Sequence, residues 1–249
     1  MALAVAAFLL DGPGFAQQPR LTVDAIFDPA TRVRFTEPPQ AGLTWTDDAH
    51  YLMTRTSRQG REWLLVDAAS GTTAPLVDAA RLDSALQTLP VDRPADRPSR
   101  TGVELTFNAT RTAALFTVAS DLYYYALASS TAVRLTRTPG AEEEAAFSPD
   151  GRLVAFVRNR NLFIVDVDRQ RERALTSDGS SAVFNGQLDW VYQEEIFGRG
   201  NFRGYWWSPD STRIAFLRLD EGAVAEYVDL DDLPYQPSLV RTRYPRAGD

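Results

Sequence analysis

Phe147-Ser148-Pro149-Asp150-Gly151 runs into Arg152-Leu153-Val154-Ala155-Phe156-Val157-Arg158. At an offset of 60 positions, Trp207-Ser208-Pro209-Asp210-Ser211 runs into Thr212-Arg213-Ile214-Ala215-Phe216-Leu217-Arg218. A chain that repeats itself on this scale is built from copies of one supersecondary unit. Weaker copies start at Trp45-Thr46-Asp47-Asp48 and Phe107-Asn108-Ala109-Thr110, so the aromatic anchors fall at 45, 107, 147 and 207. The spacings of 62, 40 and 60 residues fit a β-propeller blade and two enlarged copies of one.

The local chemistry of each copy is that of strands. Proline presets φ for a turn, Asp and Gly suit its later positions, and β-branched, aromatic and small residues follow. A second strand is expected at Glu62–Val66, Leu122–Tyr125 and Leu162–Val165, each closed by a polar turn such as Asp67-Ala68-Ala69-Ser70-Gly71. Short strands with apolar residues on both faces suit blades that stack on both sides. The expected fold is therefore all-β: a partial β-propeller over 43–249, with four blades near 43–100, 103–140, 142–183 and 184–228. Two insertions interrupt it. One, from about Val77 to Arg100, holds a short helix at Ala79–Leu86 and then a linker with Pro90, Pro94 and Pro98. The other, 185–203, is a short helical insertion carrying adjacent acids. The stretch Asp229–Asp249 is polar, proline-punctuated and read as lacking a closing strand. An open stack of four blades would leave two large apolar faces wet, so the chain is expected to be part of a longer ring.

Residues 2–10, Ala-Leu-Ala-Val-Ala-Ala-Phe-Leu-Leu, are too short an apolar run to span a bilayer. With Gly14 and Ala16 before Gln17 they match the apolar core and cleavage site of a secretory signal over 1–16, though without a basic start; a frayed terminus is the other reading. Residues 17–42 then form a lead-in, and the protein is expected to be exported, periplasmic or secreted, with no membrane span.

Composition excludes several chemistries. The net charge is −7, so nucleic acid and anionic membrane surfaces are poor partners. All 26 basic residues are arginine, scattered through every segment. There is no cysteine and a single histidine, His50, which removes disulfides, thiolate nucleophiles and multi-histidine zinc sites. No G-x-S-x-G, Walker or calcium-loop pattern occurs, so no catalytic residue, metal site or cofactor is assigned. His50, beside a blade's opening turn, reads as structural.

Two acidic runs remain. Glu142-Glu143-Glu144 reads as a solvated charge run before the third anchor. Glu194-Glu195 differs, because Trp190, Val191, Tyr192, Ile196 and Phe197 flank it. Apolar surroundings raise the cost of charge, so the pair calls for a cation. Side chains at consecutive helical positions diverge by about 100° but can still converge on a small group beyond the turn. An ammonium group has three donors to offer. Each carboxylate–ammonium pair at about 4 Å is worth roughly 4 kcal/mol before desolvation at an effective dielectric near 20, and desolvation removes much of that. Internal salt bridges to Arg199 or Arg203 would meet the same need, and the two readings stay open on the residues alone. A glycosidase-like acid and base is disfavoured, since adjacent residues rarely give the required separation.

The runs D-W-V-Y-Q-E-E-I-F, Y-W-W-S-P-D and V-R-T-R-Y-P-R-A-G-D, in this order and spacing within Asn185–Asp249, closely resemble the dipeptidyl peptidase IV family of serine exopeptidases, relatives of prolyl oligopeptidase. The resemblance implies an eight-bladed propeller, of which this chain is the N-terminal half, followed by an α/β-hydrolase domain that this chain lacks. It implies that Glu194 and Glu195 clamp the free α-amine of a peptide substrate, so that a dipeptide is released, with proline or alanine preferred at its second position. Family members add an arginine aimed at the substrate carbonyl; Arg81, in the first insertion, is the candidate. Gln193 stands where some relatives carry a third acid. The expected partners are a peptide with a free N-terminus, the C-terminal hydrolase domain and a second copy in a homodimer. The alternative is a non-catalytic propeller that binds a protein or peptide partner.

Overall fold

The computed structural model describes residues 22, 23, 27, 28, 43–58, 60–233 and 235–244. The signal peptide expected over 1–16 lies outside the described residues, as does nearly all of the lead-in at 17–42. The chain divides into two units, 1–43 and 44–249. Strand β1 begins at their border, and every later strand lies in the second unit.

Three four-stranded antiparallel meanders come first. They are β1 to β4 (Leu43–Trp45, His50–Ser57, Gly60–Asp67, Thr73–Pro75), β5 to β8 (Thr106–Phe107, Ala113–Val118, Asp121–Ala126, Thr131–Arg134) and β9 to β12 (Glu143–Phe147, Leu153–Arg158, Asn161–Asp166, Arg171–Ala174). In each, the strands pair in sequence order. Alternate residues of one strand face opposite neighbours, which is why both faces are apolar. On β6, Ala114 and Phe116 pack with Trp63, Tyr123 and Tyr125 against the first sheet, while Leu115 packs with Leu122, Val154, Phe156 and Val165 against the third. On β10, Ala155 and Val157 face the other way, onto Leu162 and Tyr205. The sheets stack face to face as propeller blades do.

The repeat read from sequence recurs bond for bond. In one copy the amide of Ser148 donates to Leu153 O at 2.8 Å, Ser148 Oγ donates to Asp150 Oδ1 at 2.6 Å and Gly151 N–H donates to Ser148 O at 2.8 Å. In the next, Ser208 N–H donates to Arg213 O at 2.9 Å, Ser208 Oγ to Asp210 Oδ1 at 2.5 Å and Ser211 N–H to Ser208 O at 2.9 Å. Asn108 opens the same turn in the second sheet, and the fourth turn residue is left-handed each time: Arg111 at φ +54°, Gly151 at +74° and Ser211 at +61°. The turns of neighbouring repeats also touch, Asp150 N–H donating to Ser211 Oγ at 3.0 Å.

The helix of the first insertion, α1 (Ala79–Gln87), is capped by Asp78, whose carboxylate accepts from Arg81 N–H at 3.0 Å. Its apolar face, Leu82, Ala85 and Leu86, is buried against Trp63, Tyr123 and Tyr125. Full burial of each leucine is worth roughly 1.5–3 kcal/mol.

The fourth repeat departs from the expected meander. β15 (Ile214–Phe216) pairs with β14 (Tyr205–Trp207), while β16 (Arg218–Asp220) pairs with β13 (Val183–Asn185). The registers Phe216↔Tyr205 and Arg218↔Asn185 are joined by Leu217, whose amide donates to Gly204 O at 2.8 Å and whose carbonyl accepts from Gly186 N–H at 2.9 Å. Residues 183–186 and 204–207 thus act as one strand, from which the segment between them loops out. The tail also differs from expectation. β17 (Glu226–Asp231) and β18 (Ser238–Arg243) form a hairpin in full register, Glu226↔Arg243 to Asp231↔Ser238. The β-branched Val240 and Thr242 suit a strand, and its partner lies just upstream.

A third correction concerns Glu142. It is not a solvated member of an acidic run: its side chain is 0% exposed and pairs with Arg158 Nη1 at 3.0 Å. Arg158 also holds Glu172 and lies over the Phe163 ring, 4.4 Å from its centroid. Burial becomes tolerable because the guanidinium supplies donors to both carboxylates.

Candidate functional site

The acidic segment leaves the strand at Gly186 and returns at Gly204. Gly204 N–H donates to Gly186 O at 2.9 Å, Gln187 and Arg203 bridge, and Leu188 N–H donates to Phe202 O at 2.7 Å. Gly186 sits at φ +74°, open to glycine without strain. Beyond this neck, Asp189 Oδ1 accepts from Tyr192 N–H at 2.7 Å and caps a helical turn. The turn widens to π type over Tyr192–Ile196, Phe197 N–H donating to Tyr192 O at 2.8 Å. Buried Gln193 turns inward and its Oε1 accepts from Gly200 N–H at 2.6 Å, tying the turn to the returning loop. Single π turns recur at functional sites.

Gln193 being drawn inward leaves the next two residues facing outward. Glu194 is half-buried, 29% exposed, and pairs with Arg199, itself 78% exposed. Glu195 is exposed, and among the described residues its carboxylate has no ion pair. The aromatic flank is not a closed wall: Ile196 is 60% exposed, and Phe197 and Trp206, with ring centroids 6.0 Å apart, are also exposed. Tyr192 stacks on Phe197. The arrangement offers two outward carboxylates on a braced turn beside apolar surface, one already holding a guanidinium.

Behind the turn lies a cavity of about 400 Å³ lined by Asp189, Trp190, Glu221, Glu226, Arg241 and Arg243 among others. Burial, and then the neighbouring Asp189, push the Glu221 carboxyl above the usual carboxylate range.

Arg81 stands elsewhere. It is 65% exposed on α1, lies 3.7 Å from Asp78 and lines a shallow cavity with Ser84, Thr88, Ser129 and Ser130. No described contact joins it to Glu194 or Glu195. His50 Nδ1 lies 2.9 Å from Asp47 Oδ1, with no serine hydroxyl bonded to it among the described residues. In the same residues no three histidine, cysteine or carboxylate side chains gather as metal ligands.

Sequence reasoning missed the brace around the acids: the Gly186–Gly204 neck, the Asp189 cap and the inward Gln193. The cap was open to being found, since Asp immediately before a helical run is an N-terminal signal.

Comparisons with known proteins agree on one family. Residues 101–249, more than half of the chain, match the family described as "Dipeptidyl peptidase IV (DPP IV) N-terminal region". "Dipeptidyl aminopeptidase B" of Saccharomyces cerevisiae is 37% identical over 109 residues, covering 42% of this chain and 13% of its own. "Probable dipeptidyl-aminopeptidase B" of Phaeosphaeria nodorum is 43% identical over 117 residues, covering 42% of this chain and 12% of its own. The crystal structure of Porphyromonas gingivalis dipeptidyl peptidase 4 superposes with a TM-score of 0.64 at 28% identity, over 83% of this chain and 29% of that one. A solved structure from Bacteroides ovatus, TM-score 0.58 at 20% identity over 85% of this chain and 27% of that one, shares the fold. The chain therefore spans a small part of the length of these relatives. It belongs to the family of dipeptidyl peptidase IV N-terminal regions.

Proposed function

We propose that this chain is the substrate-end recognition part, an N-terminal half-propeller, of a dipeptidyl peptidase IV-like serine exopeptidase. The enzyme releases dipeptides from free N-termini, with proline or alanine at the second position. Glu194 and Glu195 grip the protonated α-amine, and bond cleavage belongs to a hydrolase domain outside this chain. The export expected from residues 1–16 is part of the same reading.

The observation that carries it is the brace. Adjacent carboxylates are held outward on a capped, neck-pinched π turn. A carboxylate pair so fixed can measure a set distance from an amine to a peptide bond. The α-amine has a pKa of about 8, so it is largely protonated at neutral pH, and binding should weaken above that pH. Arg81 remains our candidate for the carbonyl contact, supported only by its place in the first insertion.

The test uses the full-length protein and a chromogenic dipeptide amide with a free N-terminus. Charged hydrogen bonds are worth about 1.5–3 kcal/mol, so Glu194→Ala and Glu195→Ala should each lower kcat/KM roughly 10- to 150-fold, with folding intact. Wild-type rates in both variants would reject the clamp. The alternative, a non-catalytic binding module, is favoured by one observation, that Arg199 already neutralises Glu194. It predicts no turnover and no preference for a free over an acetylated N-terminus.

A further inference from the structure

The acidic turn is fastened at a second point, away from its neck. Trp190 Nε1–H donates to the carbonyl of Arg243 at 3.2 Å, and its ring stacks on Tyr244 with centroids 5.1 Å apart and planes at 23°. Both partners belong to the end of the β17–β18 hairpin. That end is itself anchored: Arg243 Nη1 donates to Val224 O at 3.0 Å, and Tyr244 N–H donates to Ala225 O at 3.1 Å. Trp190 directly follows the capping Asp189 and stands four and five positions before the two carboxylates. Because its ring is held at both its edge and its face, the first residue of the helical run is fixed in place, and the later side chains are laid out from it.

We propose that Trp190 is a positioning residue for the acidic pair: it locks the start of the turn to the hairpin, so that the hairpin sets where Glu194 and Glu195 stand. This rests on the clamp reading above. The neck alone fixes two strands but leaves the turn free to tilt about them. The ring stack and the indole hydrogen bond remove that freedom. Misplacement of about 1 Å at a positioning element costs up to 100-fold, and here the loss falls on the hold on the amine.

The test is steady-state kinetics of the full-length protein on the same free-amine chromogenic dipeptide amide. Trp190→Ala should raise KM at least about tenfold while kcat falls less than about threefold, because the reacting bond lies elsewhere. Trp190→Phe keeps the stack and should stay within about threefold of wild type. Tyr244→Ala should reproduce Trp190→Ala, and the double variant should be no worse than either single one. Tyr244→Ala also keeps the proposal testable if Trp190→Ala does not fold. Unchanged KM in Tyr244→Ala and Trp190→Ala, with Glu195→Gln impaired, overturns the positioning role alone. Unchanged KM in Glu195→Gln as well overturns the clamp and this proposal with it.

Discussion

The amide of Gly204 donates to the carbonyl of Gly186 at 2.9 Å, closing a neck through which the acidic segment leaves one strand and re-enters it. Because residues 183–186 and 204–207 together pair with 214–220, the sheet is not broken by the insertion. The neck therefore has the rigidity of a paired strand, while the tilt of the turn beyond it depends on the Trp190 contacts to the hairpin.

Gly204→Ala tests this neck. A Cβ there would lie 3.2 Å from the carbonyl carbon of Gly186 and 3.2 Å from Leu188 Cδ2. The first is backbone and cannot swing aside, so the neck must widen, at a cost of about 1–3 kcal/mol. Urea denaturation should show that loss, and kcat/KM on the free-amine substrate should fall further than it does for a control variant of equal stability. An unchanged midpoint would mean the neck has slack.

The turn geometry of the repeats gives a prediction of opposite sign. Arg111 occupies, at φ +54°, the position that Gly151 fills at +74°. A left-handed residue with a Cβ costs roughly 1–2 kcal/mol, and glycine's greater chain entropy offsets a part of what relieving it would gain. Arg111→Gly should raise stability by about 0.5–1 kcal/mol. A loss would show that the guanidinium's contact to Trp45 O, at 3.5 Å, outweighs the strain.

These turns were legible in the sequence because they are local: Ser, Pro, Asp and Gly within five positions decide them. The acidic pair was legible for the same reason, as two adjacent residues in a distinctive run. Glu142 was not, because the partner that makes its burial possible, Arg158, is brought to it only by strand pairing. The rejoining of Asn185 to Tyr205 was hidden in the same way, since both halves are three-residue fragments whose common partner is Ile214–Asp220. The β18 strand was masked by its composition: four of the six residues of Ser238–Arg243 are polar, so no apolar face announces it.

Arg158 carries a stability prediction with a pH signature. It is 4% exposed and bridges Glu142 and Glu172. Burial holds the Glu142 carboxyl above the ordinary range, and the hydrogen bond from Arg158 pulls it back. A carboxyl raised on folding contributes fully below its unfolded pKa, about 4.3, and its contribution is lost as pH rises through the folded value. Arg158→Met removes the opposing cation, so the folded value climbs further and the penalty grows toward neutral pH. The variant should lose about 3–5 kcal/mol at neutral pH, clearly less near the unfolded pKa of about 4.3, and Arg158→Met with Glu142→Gln should recover part of it. Equal losses at both pH values would show that packing over Phe163, not charge, is what Arg158 supplies.

Arg199 is the sharpest probe of the acidic pair, because it is the cation that Glu194 already holds. An incoming amine must share or displace that guanidinium, so Arg199 competes with the ligand while contributing little to the fold: exposed pairs are worth about 0–1 kcal/mol. Arg199→Gln should leave the urea midpoint almost unchanged and lower KM for a free-amine dipeptide amide by about three- to tenfold. The gain should vanish for an N-acetylated peptide, which brings no positive charge, and should shrink at high salt as screening strengthens. Weaker binding in Arg199→Gln would assign the opposite role, with the guanidinium holding Glu194 in the orientation that the amine needs.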